Sequence, residues 1–312
     1  MITVRPTAAG DLAVLGALFE SRFGHPLTVE EWTWKYRQLP GRARSMVAVD
    51  GSGAVLAHAG ALRLAARWRG GEGGIWQLVD FAGSAGGGGL RPPLVELGRQ
   101  LLADLPGEGD APWIFGFPSD RHFRLGQRVF GYRPVTALAQ LAGPLPEVRE
   151  PPAADRGELW SGDRCDDWAE AVWERCAVRG VRRSAAFLNW RYWARPHRYY
   201  RCYRLRQAGG EGLAVFAFVG DEAWAAELWL PPPGEWYAPM LAIAADLRAV
   251  GMRSWRFWPP PDGAAGSLLS RLGVQAGGEP RFVGCRGAAH GATDPAADAG
   301  GFYYAMGDHD LS

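Results

Sequence analysis

Residues Ile75–Leu102 read IWQLVDFAGSAGGGGLRPPLVELGRQLL. The stretch is an apolar strand, a turn with four consecutive glycines, and a helix opened by two prolines. Proline is tolerated in a first helical turn because the N–H groups there have no intrahelical partner. A strand running through glycines into a helix start turns backbone N–H groups outward at the positive end of the helix dipole. The expectation is a seat for a phosphate or pyrophosphate at Gly87, Gly88, Gly89 and Leu90. No Lys-Ser/Thr follows the glycines, so the run is not a nucleotide P-loop.

Outward from this stretch, the pattern predicts a strand at Ile2–Arg5 and a helix near Ala8–Arg22. A second helix is opened by the capping box Thr28–Glu31. Strands follow at Ser45–Val49, Ala54–Ala65 and Ile75–Phe81, a three-strand meander turned by Asp50-Gly-Ser-Gly53 and Gly70–Gly74. After the glycine run come helix Pro92–Ala103, strand Trp113–Phe117, a short helix over Ser119–Val129 and strand Val135–Leu141. Gly143–Glu158 carries four prolines and reads as a linker. Beyond it come helices near Asp166–Ala177 and Ser184–Trp193, then strands at Tyr199–Arg206, Leu213–Val219 and Ala223–Leu230. Helix Trp236–Val250, strand Ser254–Trp258, helix Ala264–Leu272 and strand Arg281–Cys285 follow. Ala288–Gly301 reads as mobile and Gly307–Ser312 as a polar tail, so His309-Asp310 is not taken as a catalytic dyad.

That order of elements occurs twice. Trp34-Lys35-Tyr36 with Pro40 returns as Trp190-Arg191-Tyr192 with Pro196. In each copy the proline stops a helix before the first meander strand. Trp and Tyr two apart do not share a helix face, so one is expected on the sheet and the other facing a cleft. Where the first copy has its glycines, the second has Leu230-Pro-Pro-Pro-Gly-Glu235, and prolines supply no N–H groups for an anion. The cofactor is therefore expected in the first half alone. The division is 1–142, a linker at 143–158, and a degenerate second copy at 159–312.

On these residues the chain resembles the GNAT superfamily of N-acetyltransferases, in tandem form. Gly87-Gly88-Gly89-Leu90 match the centre of that superfamily's pyrophosphate loop. Leu94 matches its apolar helix position, and Phe115–Ser119 through Gly131-Tyr132 match the following strand–helix block. The resemblance implies an α/β (α+β by some schemes) fold of two GNAT-like domains, each a mixed, mostly antiparallel sheet flanked by helices. It also implies acetyl-CoA, or another acyl-CoA, held by Phe81, Ala82, Gly87, Gly88, Gly89, Leu90 and Arg91, with the pantetheine arm laid along Gln77–Ala82. Three positions depart from the pattern. Gly86 stands where the loop usually has Arg, Arg91 where it has Gly or Ala, and Gln127 where a helix tyrosine often protonates the leaving thiolate.

Acyl transfer to an amine needs an amine freed of its proton, because an amine of pKa about 10 is mostly charged at neutral pH. Asp80, on the strand before the loop, is the first candidate base, with hydrogen bonding to the loop backbone as its structural alternative. His58 is the second, although a lone histidine in apolar Val55–Leu64 is more often a hydrogen-bonded core group. Tyr132 and His122 are candidate acids. Trp34, Tyr36, Trp190 and Trp229 are candidate substrate contacts in a cleft between the copies, with packing at helix–sheet joints as the plainer reading.

The bulk composition agrees with a cytoplasmic globular enzyme. The chain has 312 residues, 47% of them hydrophobic, and a net charge of +1, which gives no general reason to expect nucleic acid or an anionic membrane. No leader or membrane-length apolar run is read. Cys165, Cys176, Cys202 and Cys285 lack metal-ligand spacing, so free thiols and no metal are expected. Lys35 is the only lysine, a bias that the Ala, Gly, Pro and Arg content assigns to a GC-rich genome. Fifteen tryptophans suit a core or a broad groove. The expected partner is a small-molecule amine, with the chain a monomeric pseudo-dimer or a homodimer. Two rivals stand beside the N-acyltransferase: a silent tandem module that binds acyl-CoA or a protein, and an aminoacyl transferase using tRNA, against which the near-neutral charge counts.

Overall fold

The computed structural model describes residues 1–68, 71–84, 92–105, 109–147, 164–176, 179–207, 209–232, 234–258, 263–278, 281–287 and 301–309. The glycine run Gly87–Gly89 with Leu90 and Arg91, most of the proline-rich 143–158 stretch, and nearly all of 288–301 lie outside the described residues. The chain divides into two compact units. Unit 1 is Met1–Thr136 with Phe282–Gly301, and unit 2 is Ala137–Arg281 with Phe302–Leu311.

Unit 1 begins with β1 (Thr3–Pro6), a 3₁₀ turn at Ala9–Asp11, α1 (Leu12–Phe23) and α2 (Val29–Arg37). The capping box forms as its residues dictate: the Thr28 hydroxyl accepts from the Glu31 N–H, and Glu31 takes the Thr28 N–H in return. Next come β2 (Arg42–Val49), β3 (Val55–Trp68) and β4 (Gly71–Gly83), an antiparallel meander. Then follow α3 (Pro92–Ala103), β5 (Asp110–Gly116), α4 (Asp120–Val129) and β6 (Arg133–Leu138). β5 pairs parallel to β4. α3 buries Leu97, Leu101 and Leu102 against Ala57, Ala59 and Ala61 of β3, where alanines let the helix come close. A single strand was expected at Val135–Leu141. Two strands occur there instead, β6 and β7 (Leu141–Pro144), and they join different sheets. An apolar run marks extended backbone but not which neighbour it pairs with.

Unit 2 runs through comparable elements, with a strand between its first two helices where unit 1 has none. It has α5 (Trp168–Arg175), β8 (Arg179–Val181) and α6 (Ala185–Leu188), which runs into a π turn at Asn189–Trp193 rather than continuing as one helix. The meander is β9 (Tyr200–Gln207), β10 (Gly210–Val219) and β11 (Glu222–Trp229), followed by α7 (Tyr237–Ala249), β12 (Ser254–Phe257), α8 (Gly263–Arg271) and β13 (Gln275–Ala276). Its sheet runs β13-β7-β12-β11-β10-β9, with β12 parallel to β11. Met240, Ile243 and Leu247 of α7 pack on Ala214, Phe216 and Trp255. β14 (Arg281–Gly287) returns to unit 1, where it lies beside β5 and completes the order β1-β2-β3-β4-β5-β14-β6. β15 (Phe302–Tyr303) pairs with β8 in unit 2 and leads into a 3₁₀ turn at Met306–Asp308. The fold is thus mixed α/β, with two sheets flanked by helices.

The expected polar tail is corrected over Gly307–Asp308. Those residues are buried, and Asp308 meets the Arg183 guanidinium at 3.0 Å. Buried arginines need acceptors, and this segment supplies them.

Candidate functional site

In unit 1, β4 and β5 pair only as far as Leu78↔Gly116. β5 stops there, while β4 continues through Val79–Gly83. On the other side of β4 the register slips: His58 faces Ala82 and Gly60 faces Val79, so Ala59 opposes both Asp80 and Phe81. This is a β-bulge, and Asp80 occupies the left-handed region at φ 58°. Asp is among the few non-glycine residues that visit this region, at some cost. Among the described residues no strand pairs with this edge of β4 beyond Leu78, and its bulge lies shortly before the glycine run in the sequence.

Three side chains fix Asp80. Lys35 Nζ donates to both carboxylate oxygens at 3.0 Å. The Tyr36 hydroxyl donates to Oδ2 at 2.6 Å. His58 Nδ1 lies 3.0 Å from the Asp80 carbonyl oxygen, which can only accept, so Nδ1 carries the proton. His58 Nε2 then accepts from the Ser45 hydroxyl at 2.9 Å. Ser45 Oγ also lies 2.8 Å from Thr7 Oγ1 and takes the Trp32 indole N–H at 3.0 Å. The His58 ring is fully buried, and burial above all, with the Lys35 charge adding to it, holds its pKa below the usual imidazole range despite Asp80. Both nitrogens are spent, so His58 orients the bulge from within the core.

Phe81 leads into a second cluster. Its ring centroid lies 4.8 Å from that of His122, which stacks on Tyr132 at 5.8 Å. His122 Nε2 is buried without a hydrogen-bond partner among the described residues, and burial pulls the ring down to about 4. Where β4 ends, Arg22 Nε donates to the Gly83 carbonyl at 2.6 Å and Nη2 to the Ser84 carbonyl at 2.9 Å. Arg22 thus holds the strand's exit into the loop.

Of the expected site residues, the described part of unit 1 gathers Asp80, His58 and Tyr36 on one side and Phe81, His122 and Tyr132 on the other. Trp34 is 2% exposed and Tyr36 8%. The expectation that one of the pair faces a cleft is therefore corrected, since the last turn of α2 is embedded on both sides. Tyr36 fits because Gly60 lies across from it; a β-carbon at that glycine would run into the Tyr36 hydroxyl. Trp190 and Trp229 are buried in unit 2.

Unit 2 holds a matching arrangement. β10 and β11 slip between Val215↔Glu227 and Phe216↔Ala225. Beside that bulge the Tyr192 hydroxyl donates to Glu227 Oε1 at 2.5 Å, as Tyr36 does to Asp80. Glu227 also takes Arg183 Nε at 2.9 Å and the Trp229 indole N–H at 2.6 Å. Gly307 covers the pair, because a β-carbon there would strike the Tyr192 hydroxyl.

Solved structures resemble this chain over nearly all its length. A conserved protein of Enterococcus faecalis described as a probable N-acyltransferase gives a TM-score of 0.65 at 14% identity, covering 92% of this chain and 73% of that one. A GCN5-related N-acetyltransferase from Anabaena variabilis gives 0.64 at 11%, with coverages of 92% and 73%. One from Kribbella flavida gives 0.63 at 15%, with 95% and 73%. The fold is GNAT-like. No family model and no curated protein matches the sequence, so the likeness is one of backbone, not of residues.

Within this GNAT-like fold, the sequence reading missed Lys35 and Arg22 as site residues. Lys35 had a visible signal: it is the only lysine and stands between the Trp and Tyr of the repeated segment. Arg22, at the end of an amphipathic helix, had none. Gln127 is exposed on α4. Neither Cys165 nor Cys202 offers a nucleophile, since burial pushes Cys165 up to about 12 and raises Cys202 as well. Among the described residues no cluster of three or more His, Cys, Asp or Glu could hold a metal, and no helix is long and apolar enough to cross a membrane.

Proposed function

We propose that the protein is an acyl-CoA-dependent N-acyltransferase, with acetyl transfer from acetyl-CoA to a small-molecule amine as its reaction and the cofactor in unit 1. The observation that carries this reading is the free edge of β4 at Val79–Gly83, bulged at Asp80, in a GNAT-like fold and next to the glycine run. An unpaired strand edge offers N–H and C=O groups to an amide-bearing arm as it would to an added strand. The backbone at Phe81 and Ala82 would hold that arm. The N–H groups of Gly87–Leu90, with the Arg91 charge, would hold the pyrophosphate. When bound, acyl-CoA supplies the activated carbonyl and a thiolate leaving group.

Asp80 is the group to take the acceptor's proton. A carboxylate has about four lone-pair positions, and Lys35 and Tyr36 use three of them. The remaining one, on Oδ1, is open to a substrate ammonium or a bridging water. Tyr132 is the group to hand a proton to the leaving thiolate; a thiol near 8.5 needs little help. His122, neutral at pH 7, serves as an apolar wall beside Phe81.

Calorimetric titration with acetyl-CoA tests the reading. Binding is expected in the unaltered protein and its loss in Gly87→Asp/Gly89→Asp, whereas equal binding by both sinks the cofactor assignment. CoA release with a panel of amines then separates an enzyme from a silent binding module, a reading favoured by the exposed Gln127. Asp80→Asn is expected to slow release roughly 100-fold or more, the usual scale for a positioned base.

A further inference from the structure

The basic residues number 34, and all but one are arginine. The single lysine is buried on α2 against the Asp80 carboxylate, each side chain 9% exposed. A buried ion pair is weak evidence of a contribution to stability, because desolvation offsets most of the attraction. A left-handed non-glycine residue is a further cost, and such costs gather at sites of function. We propose that Lys35 is a positioning residue for Asp80. Its ammonium, with the Tyr36 hydroxyl, holds the carboxylate in the one orientation that leaves an Oδ1 lone pair for the acceptor's proton. This rests on the role given to Asp80 above.

Unit 2 shows why the residue is lysine. At the corresponding place Arg191 is turned to backbone carbonyls. Its Nε donates to the Gly307 carbonyl at 2.8 Å and its Nη2 to the His309 carbonyl at 2.7 Å. Glu227 takes its cation from Arg183 instead. A guanidinium spreads five donors over a rigid plane and seeks several acceptors. An ammonium is compact and settles on two oxygens of one carboxylate, as Lys35 does.

A double-mutant cycle on CoA release from acetyl-CoA reads the coupling. Lys35→Met is expected to lower kcat at least tenfold, with the KM for acetyl-CoA held within about twofold. In an Asp80→Asn background it is expected to cost nothing further, and Lys35→Arg is not expected to restore the rate. Losses that add in the double variant, or a full rate in Lys35→Met or Lys35→Arg, overturn the proposal. Folding of the variants is not a precondition of the second measurement. Lysine labelled with ¹⁵N gives one ammonium resonance in the unaltered protein, and it is expected to move when saturating acetyl-CoA is added. A resonance that ignores bound acetyl-CoA overturns the proposal. If the unaltered protein binds no acetyl-CoA and releases no CoA, the acyltransferase reading falls and this proposal with it. A rate lost in Asp80→Asn but kept in Lys35→Met removes Lys35 alone.

Discussion

His122 is a histidine that the surrounding rings keep uncharged. The unfolded chain binds a proton there near 6.5, the folded one only near 4. As pH falls through that window the unfolded state takes up the proton first, so stability present above about 6.5 is lost progressively toward 4. Urea unfolding at a series of pH values is expected to show this slope. It is expected to be shallower in His122→Phe, with the His58 contribution, of the same sign, remaining. At this scale the sequence was informative about which residues mattered and less so about what each does. Asp80 and His58 stood out because a carboxylate and an imidazole in apolar strands need partners. Their partners came from α2 and β2, far away in sequence, so the bond from His58 to the Asp80 carbonyl left no local trace.

β4 is the element on which the site depends, and its bulge depends on a neighbour with no side chain. Gly60→Ala is expected to push Tyr36 off Asp80. The cost should be about 1–3 kcal/mol of stability, as for other overpacked positions, together with a lower rate of CoA release. Chemical denaturation and steady-state kinetics of the same preparation check both. A stable, fully active Gly60→Ala variant would show that the Tyr36 contact is incidental. The meander, its turns and the α2 cap were legible because alternation, glycine turns and a Thr-x-x-Glu box are local signals. The bulge was not, because a strand buried on both faces shows no alternation for an extra residue to interrupt. The two-apart spacing of Trp34 and Tyr36 misled for a related reason. Periodicity assigns one face to the core, whereas the last turn of α2 buries Trp34, Lys35 and Tyr36 in succession and exposes only Arg37.

Across the whole molecule the two units use one device in two states. Among the described residues the side-chain carboxylate of Asp80 in unit 1 takes donors from Lys35 and Tyr36, while that of Glu227 in unit 2 is enclosed by Arg183, Tyr192, Trp229 and Gly307. Burial raises the Glu227 pKa, and Arg183 opposes that shift. Removing the one cation from such a cluster leaves the Glu227 and Asp308 carboxylates uncompensated, so Arg183→Met is expected to cost about 3–5 kcal/mol. Acetyl-CoA affinity of the folded variant is expected to stay unchanged, because the cofactor is assigned to unit 1. Calorimetry alongside urea unfolding distinguishes this from a cofactor site in unit 2, which would weaken with the cluster. That each W-[K/R]-Y segment precedes a three-strand meander was legible in the sequence. The division of the later strands was not, since nothing in Arg281–Gly287 says that it turns back to a sheet begun so much earlier.

That late strand bears on how the chain can be made. β5 leaves the ribosome well over half a chain before β14, and all of β7–β13 emerges in between. The nascent first unit must therefore wait with one side of β5 uncovered, an edge open to wrong pairing. The β5–β14 pairing is among the contacts of long sequence separation that hold the chain together, the kind that closes slowly.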